Sequence, residues 1–296
     1  MRAAAASVDA GGPSQVKGSG VLSTIKNIKS TVPYITFRRY NKALRRLIKL
    51  PGYLGTSHVC PICGVGLRAF KPMWKSYGRN IERFGYVHRH REMETFNLAA
   101  MTCPKCDATD RERLMAVYLD EAWPSFPPGK AVRLFDFAPA YPLSQKLNRY
   151  PSIAYRSADL SRRDVQDHID LTNIAYADES ADIFICSHIL EHIPDDRKAM
   201  RELRRILHRE GFGLMLVPLV IGVDETTEEQ GETSVEYRWK HFGMGDHVRQ
   251  YGRRDFVDRL TQAGFKVEQL GIAHFGAEKF RRHGIAENSI LYVVRR

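Results

Sequence analysis

The chain has 296 residues, a net charge of +11 and 43% hydrophobic residues. This length holds one substantial α/β domain with a smaller appendage, and the apolar content supports a buried core. No apolar run approaches the roughly 20 residues that span a bilayer, and no long apolar segment follows the first basic residue. We therefore expect a cytoplasmic protein without a transmembrane segment or a secretory signal.

The basic charge is concentrated in the first 50 residues. This leader holds ten Lys or Arg against a single acid, Asp9, and so carries +9 of the net charge of +11. Residues 35–50 (ITFRRYNKALRRLIKL) predict a short basic amphipathic helix that ends at Pro51 and Gly52. Residues 1–50 are expected to be a flexible, solvated leader that can contact anionic surfaces or the phosphates of a nucleic acid.

The next module, residues 51–128, is defined by its cysteines and a connecting helix, RERLMAVYLDEAW. Four of the five cysteines form two Cys-x-x-Cys pairs 39 residues apart, each followed by a tight turn: Cys60, Cys63, Cys103 and Cys106. Two such knuckles present four thiolates to a structural Zn²⁺ ion, as in a zinc ribbon. Unligated cysteines, or His88 and His90 as substitute ligands, are the alternatives. The fifth cysteine, Cys186, lies in an apolar run and is expected to pack in the core.

Residues 129–296 alternate between apolar runs and amphipathic helices. The predicted strands are AVRLFDF, SIAYRSADL, ADIFICSH, FGLMLVPLV, FKVEQL and ILYVVRR, and the predicted helices between them are LSQKLNRY, DDRKAMRELRRILHREG and DFVDRLTQAGF. In the second helix, Gly211 is expected to end the helix. This alternation is typical of an α/β fold with a doubly wound, mostly parallel sheet that helices cover on both faces.

Two segments carry a family resemblance. SHILEHIPDD and DHVRQYG resemble class I S-adenosyl-L-methionine-dependent methyltransferases of the type 11-like group, and CPKCDATDRERLMAVYL is similar to a bacterial branch that joins a zinc ribbon to this core. The resemblance covers about residues 56–296. It implies a seven-stranded, Rossmann-like sheet and S-adenosylmethionine as cofactor.

Acidic residues mark the edge of the sheet where a ligand is expected. In open α/β sheets the ligand lies at the carboxyl ends of the strands, and Asp136, Asp159 and Asp170 fall at such ends. Asp159 can accept hydrogen bonds from the ribose hydroxyls of the cofactor. The family resemblance implies that Asp170 lies beside the adenine. The predicted cofactor-binding residues are Asp136, Phe137, Ala138, Pro139, Asp159, Leu160, Asp170, Leu171, Ser187 and His188.

The first loop departs from the family pattern. Ala138, Pro139 and Ala140 stand where the family has glycines, which allow a close approach of the backbone to the ligand. An inactive methyltransferase fold that serves as an interaction module is therefore one alternative function.

The segment DHVR supplies the candidate catalytic residues. A hydroxyl acceptor must lose its proton, and a histidine suits that task. His247 is the first candidate base, with Asp246 as its orienting partner and Arg249 as the group that holds an anionic acceptor. Alternatively, DHVR docks the following helix. His188 and His192 are weaker candidates.

The predicted function is O-methylation of a small molecule or of a surface-polysaccharide sugar, a substrate class that rests on the resemblance. An RNA methyltransferase, with the zinc ribbon and the basic leader gripping phosphates, is the second alternative.

Overall fold

The computed structural model describes residues 48–88, 93–229, 231 and 234–296. Within it, Lys49–Arg296 form one compact unit. The predicted leader of residues 1–50, with its helix over residues 35–50, lies almost entirely outside the described residues, as does His90.

The N-terminal part of the compact unit contains two short strands and two helices. Strands β1 (Leu54–Val59) and β2 (Gly66–Leu67) pair antiparallel, and helices α1 (Lys75–Phe84) and α2 (Asp110–Ala122) follow. At the start of α2 the backbone amide of Thr109 donates to the carboxylate of Glu112, which satisfies one of the free amides of the first turn. The predicted connecting helix coincides with α2.

A seven-stranded sheet forms the centre of the unit. Its strands are β3 (Val132–Phe137), β4 (Ile153–Asp159), β5 (Asp167–His168), β6 (Ala181–Ser187), β7 (Leu207–Leu216), β10 (Lys266–Leu270) and β11 (Leu291–Arg295). The spatial order is β10-β11-β7-β6-β3-β4-β5. All pairs from β5 to β7 are parallel, whereas β11 pairs antiparallel with both neighbours. The predicted mostly parallel, Rossmann-like sheet is confirmed.

Helices flank this sheet. They are α3 (Tyr141–Leu147), α4 (Asp196–Ile206), α5 (Val235–Phe242), α6 (Arg253–Gln262), α7 (Ile272–Phe275) and α8 (Ala277–His283), and a separate small sheet pairs β8 (Thr227–Glu228) with β9 (Arg249–Gln250). The side chain of Asp195 caps α4 by accepting from the backbone amide of Lys198 at 2.9 Å. Among the described residues, no helix has the length and apolar character needed to cross a membrane.

The boundary between α4 and β7 differs from the predicted one. The helix ends at Ile206 and the strand begins at Leu207, so residues 208–211 lie in β7. Gly211 does not end the helix. It packs against β6, where an added Cβ would come within 2.5 Å of the Asp182 carbonyl oxygen. The glycine is therefore required by the close approach of two strands.

Arg113 on α2 joins the cysteine module to the C-terminal helices. Its guanidinium is fully buried and stacks over the Phe70 ring, with 4.0 Å between Cζ and the ring centroid. It donates hydrogen bonds to five backbone carbonyls, those of Ala100, Met101, Ala108, His283 and Gly284. Because charge-assisted bonds replace water around the buried cation, this one side chain fixes three loops against α2.

Candidate functional site

The two cysteine pairs have the same backbone geometry. The Cys60 carbonyl accepts from the amide of Gly64 at 2.9 Å, and the Cys103 carbonyl accepts from the amide of Asp107 at 2.9 Å. Gly64 and Asp107 are both left-handed, with φ of 69° and 63°. The structure thus contains two equivalent knuckles.

The knuckles bring their four sulfur atoms together. Sγ of Cys60 lies 3.7 Å from Sγ of Cys106, Sγ of Cys63 lies 3.8 Å from Sγ of Cys103, and all four lie within 4.8 Å of one another. A tetrahedral Zn²⁺ with Zn–S bonds of about 2.3 Å requires sulfur atoms about 3.8 Å apart. The four cysteines are free thiols and fit a zinc ion.

Several predicted cofactor-binding residues lie where the parallel strands end, at one edge of the sheet. Parallel pairing aligns Phe137 with Ala158 on one side and with Cys186 on the other. Ala138, Asp159 and Ser187 therefore follow at the carboxyl ends of three adjacent strands. The guanidinium of Arg162 donates to the Pro139 carbonyl at 2.6 Å and so ties the loop after β4 to the loop after β3.

Asp136 lies beneath this edge. Its side chain is 2% exposed and accepts a hydrogen bond from the hydroxyl of Tyr155 at 2.9 Å. Burial raises the pKa of Asp136 to about 7. A carboxyl group so placed links β3 to β4 just before the first loop.

Asp159 and Asp170 order the turns that follow them. Oδ1 of Asp159 accepts from the amides of Ser161 and Arg162 at 2.8 and 2.9 Å, and Oδ1 of Asp170 accepts from the amide of Thr172 at 2.8 Å. In both acids the described bonds to backbone amides engage Oδ1. The structure therefore gives each acid a turn-forming role while leaving it at the carboxyl edge. Leu171 is buried, and Leu160 is exposed.

The backbone is left-handed at the ends of two strands. Ala138 has φ of 50° and His188 has φ of 57°. For a residue with a Cβ this conformation costs roughly 1–2 kcal/mol. The first loop therefore adopts the backbone that glycine favours although the sequence supplies alanine.

An acidic side chain lies among the histidines beyond β6. Glu191 lies in a single helical turn, Leu190–His192, and is 1% exposed. Its Oε1 is 3.6 Å from Nδ1 of His188 and 4.0 Å from Nε2 of His247. Burial raises the pKa of Glu191 to about 8 and lowers the pKa of His188.

The DHVR segment docks onto this turn. The Val248 amide donates to the Glu191 carbonyl at 2.8 Å. Arg249, which is 4% exposed, donates to the carbonyls of Leu190, Ile193 and Pro194 and to the carboxylate of Glu228. The predicted role of Arg249 in holding an anionic acceptor gives way to this docking role, because its donors already have partners inside the protein.

His247 is oriented by a different group from the one predicted. Its Nδ1 lies 3.1 Å from the carbonyl of Phe242, and Asp246 instead contacts His192, whose Nδ1 lies 3.2 Å from the Asp246 carbonyl. Burial, together with the neighbouring His192, lowers the pKa of His247 to about 4. The imidazole of His247 is neutral near pH 7.

A comparison with known protein families matches part of this chain. A family model described as a methyltransferase domain matches residues 148–215, which run from the end of α3 almost to the end of β7. These residues therefore carry a methyltransferase domain, and the chain is an S-adenosylmethionine-dependent methyltransferase. A search of curated proteins finds no match.

Solved structures similar to this methyltransferase include three that share little sequence with it. A methyltransferase from Mesorhizobium loti is 14% identical at a TM-score of 0.40, over 61% of this chain and 98% of that one. The citrinin polyketide synthase CMeT domain is 14% identical at a TM-score of 0.44, over 66% of this chain and 54% of that one. The CurJ carbon methyltransferase is 15% identical at a TM-score of 0.42, over 62% of this chain and 52% of that one. This chain therefore spans about half the length of the last two.

Sequence reasoning overlooked Glu191. The available signal was a carboxylate inside the apolar run ILEHI, three residues after His188. A charged residue among buried apolar neighbours indicates a function or a specific partner.

A cavity of about 250 Å³ lies at the opposite edge of the methyltransferase sheet. Phe126, Phe212 and Arg295 are among its lining residues, together with Asp182 near the start of β6. It contains none of the predicted site residues.

Replacing Ala138 by glycine relieves the backbone strain of the first loop. We expect Ala138→Gly to raise the free energy of unfolding by about 0.5–1 kcal/mol, because the relief exceeds the entropy that glycine adds to the unfolded chain. Ala154→Gly is the matched control, since Ala154 is an exposed residue inside β4 without a positive φ, and it should lower the free energy of unfolding. Chemical denaturation of the zinc-loaded methyltransferase measures both. Destabilisation by both variants would contradict the left-handed loop.

The buried carboxyl of Asp136 makes stability dependent on pH. Its folded pKa lies above its ordinary value of 3.8, so its contribution favours folding at low pH and is lost as the pH rises from about 4 to about 7. Asp136→Asn keeps the acceptor for Tyr155 without a titrating group. Its stability relative to the native chain should grow by about 2–3 kcal/mol between pH 5 and pH 8.

Denaturation of cofactor-free, zinc-loaded protein at both pH values checks this prediction. Asp258→Asn, at an exposed position on α6, is the control and should show no such growth. If the free energy of unfolding changes equally with pH in Asp136→Asn and in the native chain, the pKa of Asp136 is not raised by burial and the prediction is wrong.

Proposed function

We propose that the chain transfers the methyl group of S-adenosylmethionine to a hydroxyl group of a small molecule or of a surface-polysaccharide sugar. The observation that carries this proposal is the convergence of two chain segments. The turn after β6, with His188 and Glu191, is held by the DHVR segment at the carboxyl edge of the sheet, and β6 pairs with β3, which leads into the loop at Ala138. The cofactor edge and a cluster of proton-binding groups are therefore adjacent.

The adenosyl group is assigned to the edge formed by β3, β4 and β5. Asp159 would accept hydrogen bonds from the ribose hydroxyls, because a carboxylate at the end of the second strand suits that contact. Asp170 and Leu171 would lie beside the adenine. The backbone of residues 137–139 would approach the ligand, with Asp136 linking β3 to β4 just before it, and exposed Leu160 would cover the adenosyl group.

The methionine part of the cofactor is assigned to the end of β6. Ser187 and His188 follow the strand there, and Oγ of Ser187 is buried. Methyl transfer from a sulfonium is an in-line displacement, so most of the acceleration comes from holding the acceptor oxygen and the methyl carbon in contact. The left-handed turn at His188 redirects the chain at this point.

His247 is proposed to accept the proton of the acceptor hydroxyl. It is neutral near pH 7, and its contact with the Phe242 carbonyl leaves Nε2 directed toward Glu191. Asp246 and Arg249 act as positioning residues: Asp246 holds His192, and Arg249 holds the turn that carries Glu191.

The four cysteines are proposed to bind a structural Zn²⁺. Four protein ligands leave no open position for water or substrate. The ion would fix the two knuckles, and Arg113 would transmit that rigidity to α2 and to the loop after α8.

Calorimetric titration with S-adenosylhomocysteine tests the assignment of the cofactor edge. We expect Asp159→Asn to weaken binding to the zinc-loaded protein by about tenfold or more, because hydrogen bonds to a charged group contribute roughly 1.5–3 kcal/mol. Asp258→Asn is the control and should bind as the native chain does. Unchanged affinity in Asp159→Asn would place the ligand elsewhere, and a native chain that binds no ligand would favour an inactive interaction module.

A further inference from the structure

Glu191, His192 and His247 form a compact group, here called the Glu191 cluster. One oxygen or ring nitrogen from each residue lies within 4.8 Å of the corresponding atoms of the other two. The two imidazole rings meet edge to face, with 4.7 Å between their centroids. The cluster combines the two donor types, imidazole nitrogen and carboxylate oxygen, that bind divalent transition metals.

Hydrogen bonding prepares both histidines as ligands. Nδ1 of His247 lies 3.1 Å from the Phe242 carbonyl, and Nδ1 of His192 lies 3.2 Å from the Asp246 carbonyl. A carbonyl oxygen only accepts, so each Nδ1 carries the hydrogen. When such a ring is neutral, its lone pair is therefore on Nε2. Metal-binding histidines have this arrangement, in which a backbone carbonyl fixes the tautomer from behind.

The carboxylate of Glu191 supplies an independent indication of a ligand. It is 1% exposed, and within the described part of the chain neither of its oxygens accepts a hydrogen bond from another residue. A buried carboxylate without donors is costly. The Nε2 lone pair of His247 faces Oε1 of Glu191 at 4.0 Å, so two acceptors point at each other, and a shared cation or a shared proton would satisfy both.

We propose that the Glu191 cluster binds a divalent transition-metal ion through the Glu191 carboxylate and Nε2 of His192 and His247. Metal–ligand bonds of about 2.0–2.2 Å place tetrahedral donors about 3.4 Å apart, so the distance from Glu191 to His247 closes by about 0.6 Å. His192, whose side chain is 36% exposed, can move its own ring toward the other two ligands. This second site would have three protein ligands, whereas the cysteine site has four.

An open coordination position is the functional consequence. Three protein ligands leave room for an oxygen from water or from the acceptor, and a bound metal lowers the pKa of a coordinated hydroxyl group. The ion would then make the acceptor hydroxyl acidic enough to lose its proton to water, because His247, whose lone pair the ion occupies, would no longer accept it. This consequence rests on the proposed function, whereas binding of the ion does not.

Cobalt binding tests the site directly. The full chain is first loaded with one equivalent of Zn²⁺ and then titrated with Co²⁺, followed by visible absorption and calorimetry. We expect one further ion per chain, with the d–d bands of nitrogen and oxygen ligands and without the charge-transfer bands of thiolates. Glu191→Gln and His247→Asn should each weaken this binding by at least about tenfold.

Matched controls separate the cluster from surface binding. Glu287→Gln and His274→Asn change exposed residues and should bind Co²⁺ as the native chain does. Thermal unfolding without Co²⁺ should show Glu191→Gln to be at least as stable as the native chain, because the variant removes a buried carboxylate that lacks donors. A folded variant that loses the ion therefore supports ligation by Glu191.

Two results would overturn the inference. The first is a zinc-loaded native chain that binds no further ion, which is expected if Glu191 and His247 share a proton. The second is a Glu191→Gln variant that binds Co²⁺ as tightly as the native chain. Titration of the same samples with S-adenosylhomocysteine distinguishes the two proposals. Ligand binding without a second ion would refute only the metal site. A second ion in a chain that binds no ligand would refute only the proposed function.

Discussion

Parallel pairing of β5, β4, β3, β6 and β7 determines where the loops of the candidate site lie. Parallel strands all point the same way, so every loop that follows them leaves the sheet at one edge. Residues that are distant in the chain, such as Ala138, Asp159 and Ser187, therefore lie at the ends of three adjacent strands. Both faces of the sheet are occupied by helices, and this edge is where a ligand enters the fold.

Two buried arginines hold the loops that the sheet alone leaves free. Arg113 donates to the carbonyls of three loops around the cysteine module, and Arg249 donates to those of the turn after β6. A planar guanidinium with five donors suits such a position, because it satisfies several inward-pointing carbonyls at once. Both cations are costly to bury, so removing their partners would leave unpaired charge. The arginines thus make irregular backbone rigid next to the two candidate metal sites.

The sequence predicts the helices and strands that follow periodic patterns. It does not predict boundaries or residue roles that depend on contacts between distant parts of the chain. The alternation of strands and helices and the spacing of the cysteine pairs are local, and the sheet and the four-sulfur cluster follow from them. The start of β7 depends instead on how closely Gly211 approaches Asp182. The role of Arg249 depends on carbonyls 55–59 residues earlier in the chain. Glu191 acquires its character from burial among histidines of two segments, which spacing does not show.

A crystal structure of the zinc-loaded chain with S-adenosylhomocysteine would locate the cofactor site. We expect ligand density at the carboxyl edge, with the ribose against Asp159, the adenine beside Leu171 and the sulfur toward His188. Density at the opposite edge, in the cavity beside Phe126 and Phe212, would contradict this expectation, because the convergence of strand ends would then not form the cofactor site.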